Sequence, residues 1–191
     1  MVTGRSVGAR SARVLVAALL VVLAVTLIIG ERVGRAIEAS TAAWLVGTVT
    51  GMDVLPADAS TVPAVVFRSG DLQWNVLEIT LECAIAFLLA GLLVMGAALV
   101  SVARFSLVRV LLAIGVGASL LVAVNQLRIV MLSLVLAHGG INAFEWAHSF
   151  AGSVVSLAGL TLTLLVVFVL VVRPGSRAST RNIPTREEFP A

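Results

Sequence analysis

The chain has 191 residues, 60% of them hydrophobic and only 12% charged, and its mean hydropathy is +1.11. These values exclude an ordinary soluble domain and read as a polytopic membrane protein. The net charge of +3, carried by arginines with no lysine, is no sign of a nucleic-acid partner. The arginines flank apolar runs, where they set orientation, and no basic stripe interleaved with aromatics occurs.

The first apolar run, Val14 to Gly30, follows Arg5, Arg10 and Arg13. It exceeds the ~7–15 residues of a signal-peptide core and reads as a retained helix. Four segments, 14–30, 79–103, 107–126 and 150–172, have the ~20 residues needed to cross a bilayer. Ile129 to Ala137 is apolar but too short to cross, so it is either re-entrant or a continuation of the third span. Between the first two spans, Val33 to Val49 reads as an interfacial amphipathic helix with Trp44 at headgroup depth. Gly51 to Asp71, with Pro56, Pro63 and Gly70, reads as irregular. The expected fold is therefore all-α, a polytopic membrane helical bundle of about four full spans plus a re-entrant or interfacial helical segment.

Arginine placement sets the expected orientation. Arg5, Arg10 and Arg13 precede the first span, Arg104 and Arg109 lie in the turn between the second and third, and Arg173, Arg177, Arg181 and Arg186 follow the last. The positive-inside rule puts all three groups in the cytoplasm. Residues 1–13 and 173–191 are then cytoplasmic tails, the second one disordered. Residues 14–172 form a membrane-embedded domain whose segment 31–78 lies outside a plasma membrane.

Six polar positions in or beside the apolar runs are candidates for chemistry. Cys83 is the single cysteine, in Leu77-Glu78-Ile79-Thr80-Leu81-Glu82-Cys83-Ala84-Ile85. It cannot close an intramolecular disulfide, and a thiol in such a run is either an inert small hydrophobe or, once deprotonated, a strong nucleophile. Glu82 beside it would oppose deprotonation if it faced the thiol. Helical geometry turns it ~100° away, leaving it to bind substrate or pair with an arginine. Arg128 is embedded in Asn125-Gln126-Leu127-Arg128-Ile129-Val130, and an arginine within a bilayer costs ~2.5–3.5 kcal/mol unless paired or hydrated. Asn125, one turn earlier, is placed to orient the guanidinium. His148, in Glu145-Trp146-Ala147-His148-Ser149, is the natural proton acceptor by residue type. Glu145 either hydrogen-bonds it or, as the position favours, is solvated. His138 precedes Gly139-Gly140 and reads as a helix end. One Cys and two His at these separations match no metal-ligand pattern, so neither metal nor cofactor is expected. The topology places Cys83, Arg128 and His148 at similar depth on the outer side.

A cysteine near the start of an apolar helix, Asn125-x-x-Arg128-Ile129 at the end of a later one, and His148-x-x-x-Gly152 entering the last together resemble the exosortase/archaeosortase family. These are multi-span membrane cysteine transpeptidases. The resemblance covers residues 76–172. It implies cleavage of the C-terminal sorting signals of exported proteins, each signal a short motif, a transmembrane helix and a basic tail. Cys83 would be the nucleophile, His148 the acid/base and Arg128 the oxyanion stabiliser, with the lipid bilayer and the exported substrates as partners. Two other classes fit the residues alone. A small transport or channel subunit would use Arg128 and His148 to line a polar path, and a non-enzymatic membrane assembly protein would have an unreactive thiol and depend on partner binding.

Overall fold

A computed structural model describes residues 3–59, 62–68, 70, 73–81 and 84–172. It is mostly helical, with a small sheet set between the second and third helices. In chain order come α1 (Thr3–Ile29), α2 (Glu31–Thr50), β1 (Val54–Ala59), β2 (Val62–Arg68), β3 (Trp74–Glu78), α3 (Ala86–Ser101), α4 (Leu107–Trp146), a π-helical turn (Ala147–Ala151) and α5 (Gly152–Val172). The strands form one antiparallel meander, β1-β2-β3, with Val54 opposite Phe67 and Phe67 opposite Asn75.

The expectation of an all-α bundle with about four full spans is corrected on two counts. First, the chain forms a three-stranded sheet, and two of its strands, β1 and β2, fall in the segment 51–71 that was expected to be irregular. Pro56 is tolerated because β1 is an edge strand, and Pro63 falls at the second position of β2, where its carbonyl accepts the Ile79 amide (2.8 Å). Secondly, among the described residues only two stretches are long and apolar enough to cross a membrane, Arg10–Ile29 and Leu107–Val172. The expected span at 79–103 yields a helix of 16 residues, Ala86–Ser101. At 1.5 Å per residue it covers about 24 Å, short of the ~30 Å hydrocarbon core. Its expected first turn is spent elsewhere, because Ile79 extends the sheet ladder and is buried there.

α2 is amphipathic, as its sequence implies, but its stripe has a protein partner. Arg35, Glu38, Ala39, Ala42, Ala43 and Val46 are buried, a set spaced at helical period. Ala39, Ala42 and Ala43 pack with Val65 and Phe67 of β2 and with Ile129 and Leu132 of α4 in one apolar core. Trp44 points away and is 67% exposed. A second core joins Ala24 of α1, Leu92 and Val100 of α3, Ile114 and Leu121 of α4, and Val167 of α5.

The segment 129–137 is a continuation of α4. The helix runs on to a break at Gly140, whose φ of 70° and ψ of −171° are accessible without strain only to glycine. Beyond the break the chain turns back, and α5 lies antiparallel against α4. Gly117 faces Thr163 and Val167, Gly159 faces Val124, and Gly152 faces Arg128. At the other end, Arg13 of α1 donates to the carbonyls of Val100 (3.1 Å), Val102 (3.2 Å) and Phe105 (2.8 Å). This caps the end of α3 and ties the start of the chain to the α3–α4 turn that carries Arg104 and Arg109. The second tail, 173–191, lies outside the described residues.

Candidate active site

Arg128 and His148 line the same groove, of about 450 Å³, although 20 residues separate them in sequence. Each is brought there by a local feature. Arg128 lies on the face of α4 that packs against α5, and it is 8% exposed. His148 lies in the π-helical turn between α4 and α5, a local widening of the helix that is common where a side chain must be re-aimed. Its ring stacks on Phe144 at 5.6 Å. Ser149, Ser153 and Ser156 add hydroxyls to the groove, and Leu88 from the first turn of α3 closes one side.

Both key groups are chemically unspent. The buried Nε of Arg128 and the buried Nδ1 of His148 have no hydrogen-bond partner among the described residues. A buried polar atom ordinarily has one, and leaving it without costs ~1–3 kcal/mol. A guanidinium and an imidazole lining one groove can together meet an anionic or carbonyl oxygen. Gly152 accounts for the spacing His148-x-x-x-Gly152. A Cβ placed on it would lie 2.9 Å from Arg128 Nε and 3.3 Å from Nη2, so only glycine lets α5 approach the guanidinium this closely.

The other expected site residues are distributed differently. Cys83 and Glu82 lie outside the described residues. On either side of them, the Ala84 amide donates to the Leu81 carbonyl at 3.2 Å. Asn125 does not orient Arg128. Its amide Nδ2 donates instead to Glu38 Oε2 at 3.0 Å, because Asn125 faces α2 while Arg128 faces α5. Glu145 is exposed and has no partner among the described residues. His138 is also exposed, its ring Nδ1 2.9 Å from the Leu134 carbonyl just before the Gly140 break.

Glu38 is the residue that sequence reasoning missed. It is 7% exposed and accepts hydrogen bonds from Asn125 and from the backbone amide of Ile85 (3.2 Å). Burial lifts its carboxyl to about 7, against the opposing pull of the Ile85 amide, the Asn125 amide and the Arg35 guanidinium. A signal was available: the apolar spacing Ala39, Ala42, Ala43, Val46, extended backwards, lands on Glu38 and Arg35.

A larger groove of about 610 Å³ lies at the opposite end, between α3 and α5. Its lining is apolar apart from Arg104, so it offers no acid/base pair. Among the described residues, no three His, Cys, Asp or Glu side chains gather as a metal site. Comparison with protein-family models, curated proteins and solved structures finds no match for this chain.

Proposed function

We propose that this chain is a membrane-embedded cysteine transpeptidase or protease of the exosortase/archaeosortase kind, acting on the C-terminal sorting signals of exported proteins. The observation that carries the reading is the presence in one groove of a histidine and a buried arginine whose Nε has no partner among the described residues. An arginine left unsatisfied in an apolar helix is costly unless its role is to meet a charge that appears during a reaction.

In this mechanism the Cys83 thiolate attacks the scissile carbonyl carbon, and the imidazole of His148 takes the thiol proton. The carbonyl π-electrons move onto oxygen, and the guanidinium of Arg128 receives that oxyanion. Collapse of the tetrahedral intermediate breaks the C–N bond, and His148 returns the proton to the departing amine. An amine or water then attacks the thioester and releases Cys83. No metal or cofactor enters this scheme.

The apolar stretches Arg10–Ile29 and Leu107–Val172 would lie in the plasma membrane, and the shorter α3, packed against α1, would lead the chain back to the arginine end beside them. The end that gathers Arg13, Arg104 and Arg109 would face the cytoplasm with both termini, and the groove the outside. Two features support that orientation. Arg128 stands 21 residues along α4 from Leu107, about 30 Å at 1.5 Å per residue. Val172 lies beside Arg104 in the wall of the larger groove, so α5 returns to the arginine end.

The test uses an exported protein of the same genome that ends in a short motif, an apolar helix and an arginine cluster. Cys83→Ala, Arg128→Ala and His148→Ala should each abolish its processing while the variants still insert. Normal processing by Cys83→Ala would end the proposal.

A further inference from the structure

α2 grips the chain on both sides of the Cys83 segment. Arg35 Nη1 donates to the Ile79 carbonyl at 3.2 Å in a buried contact. Three residues further along the same helix face, Glu38 Oε1 accepts the Ile85 amide, also buried, at 3.2 Å. Ile79 is the last residue of the sheet ladder and Ile85 precedes the first turn of α3. Five residues stand between these two anchor points, Thr80, Leu81, Glu82, Cys83 and Ala84.

Each gripping side chain is itself held. Glu31 takes the Arg35 guanidinium with both oxygens, at 2.6 and 3.0 Å. Glu38 is steadied from α4 by Asn125 through its second oxygen. Gln126 Nε2 adds a long contact (3.5 Å) to the Glu38 backbone carbonyl. The directions suit the chemistry. A carboxylate at the N-terminal end of α3 meets the positive end of the helix dipole and an amide with no intrahelical acceptor. A guanidinium on the last carbonyl of the strand satisfies an acceptor that the ladder leaves over. Holding these charged groups in an apolar core is costly, and packed hydrophobes would stabilise the fold at least as well. Position is what the hydrophobes would not supply.

We infer that Arg35 and Glu38 form a bracket that fixes the strand end at Ile79 and the start of α3 at Ile85 to one face of α2. Both are positioning residues for the nucleophile of the proposed reaction, and to that extent the inference rests on the proposed function. Asn125 is the third member, locking Glu38 to the helix that carries Arg128.

Cys83 is the single cysteine of the chain, so its alkylation by N-ethylmaleimide reports this segment alone, without substrate. Initial labelling rates are measured on the full chain in detergent micelles at fixed pH, well below the thermal transition. Glu38→Ala should change the rate at least fivefold and Arg35→Ala at least threefold. The exchange Glu38→Gln with Asn125→Asp rebuilds the contact with donor and acceptor reversed, and it should return the rate to within twofold of the parent. If Glu38→Ala does not fold, Glu38→Gln alone, equal in volume, should still shift the rate twofold or more. Parental labelling rates in a folded Glu38 variant would overturn the bracket, as would failure of the exchange to rescue. Because labelling requires no turnover, the bracket and the enzymatic reading fail separately. Processing by Cys83→Ala removes the second, and unchanged labelling removes the first.

Discussion

Replacing Gly152 with alanine separates the positioning of Arg128 from the packing of α4 against α5. The added Cβ would sit 2.9 Å from Arg128 Nε, inside the ~3.5–4.0 Å of an ordinary contact. The obstructing atoms belong to the end of a flexible side chain, which can swing aside for about 0.5–1.5 kcal/mol of rotamer strain. Alanine for glycine within a helix returns about 0.8–1 kcal/mol, so net stability should barely change. Gly159→Ala is the matched contrast. Its Cβ would lie 2.5 Å from Val124 Cγ1 and 3.1 Å from Val124 Cβ, near the root of a stiff β-branched side chain. Overpacking of that kind costs about 1–3 kcal/mol. The two variants should therefore fail in opposite ways. Gly152→Ala should melt within about 3 °C of the parent, given about 2–4 °C per kcal/mol at this size. Its substrate processing should drop about 10²-fold or more, the scale of losing one oxyanion donor. Gly159→Ala should melt several degrees lower yet process normally, per folded molecule, at low temperature. The assays are thermal unfolding in detergent and cleavage of the sorting-signal substrate. Parental cleavage by Gly152→Ala would refute the placing of the Arg128 guanidinium at the reacting oxygen.

Glu38 should make stability depend on pH. Its folded carboxyl titrates at about 7 against an ordinary 4.5, so the native state holds the proton more tightly and stability is greatest below 4.5. Stability should fall as pH rises from 4.5 through about 7, by roughly 3 kcal/mol at most, then level off. Glu38→Gln should lose this slope, as chemical unfolding at pH 4.5, 6 and 8 would reveal; an unchanged slope contradicts the assignment. Arg128→Lys should cleave the substrate poorly, because an ammonium does not reproduce the two-pronged guanidinium; near-parental cleavage would contradict the proposed role. Arg13→Ala should lower the melting temperature by several degrees. It removes three charge-assisted bonds to the end of α3 and the turn that follows it, together worth about 1–3 kcal/mol in a partly exposed place.

The helices of the arginine end were legible because long apolar runs have one reading, and the arginines mark their ends. The sheet was not, although Leu77-Glu78-Ile79-Thr80 alternates and Leu77 and Ile79 are the buried members. The alternation is brief and runs into an apolar stretch, so a helical span absorbed it. Prolines at 56 and 63 masked the other strands, since only the finished pairing reveals which positions tolerate them. Arg128 and His148 stood out because charge in an apolar run is costly wherever the helix goes. Asn125 misled because adjacency on one helix does not determine which neighbouring helix a side chain meets. Glu38 was hidden among the mixed charges of residues 31–38, and only the burial of its helix face sets it apart.

The Gly140 break also governs which changes of chain length this protein can absorb. Arg128 and His148 sit on the two arms of one hairpin, 12 residues before and 8 residues after that glycine. Inserting a single residue between Leu127 and Gly140 would rotate one arm by ~100° against the other and carry the guanidinium off the groove. An insertion between β1 and β2 would lengthen only the connection of an antiparallel pair that contributes no residue to the groove, and connections generally tolerate it. Length variation among natural versions of this chain should therefore collect between the strands and be absent from residues 128–152.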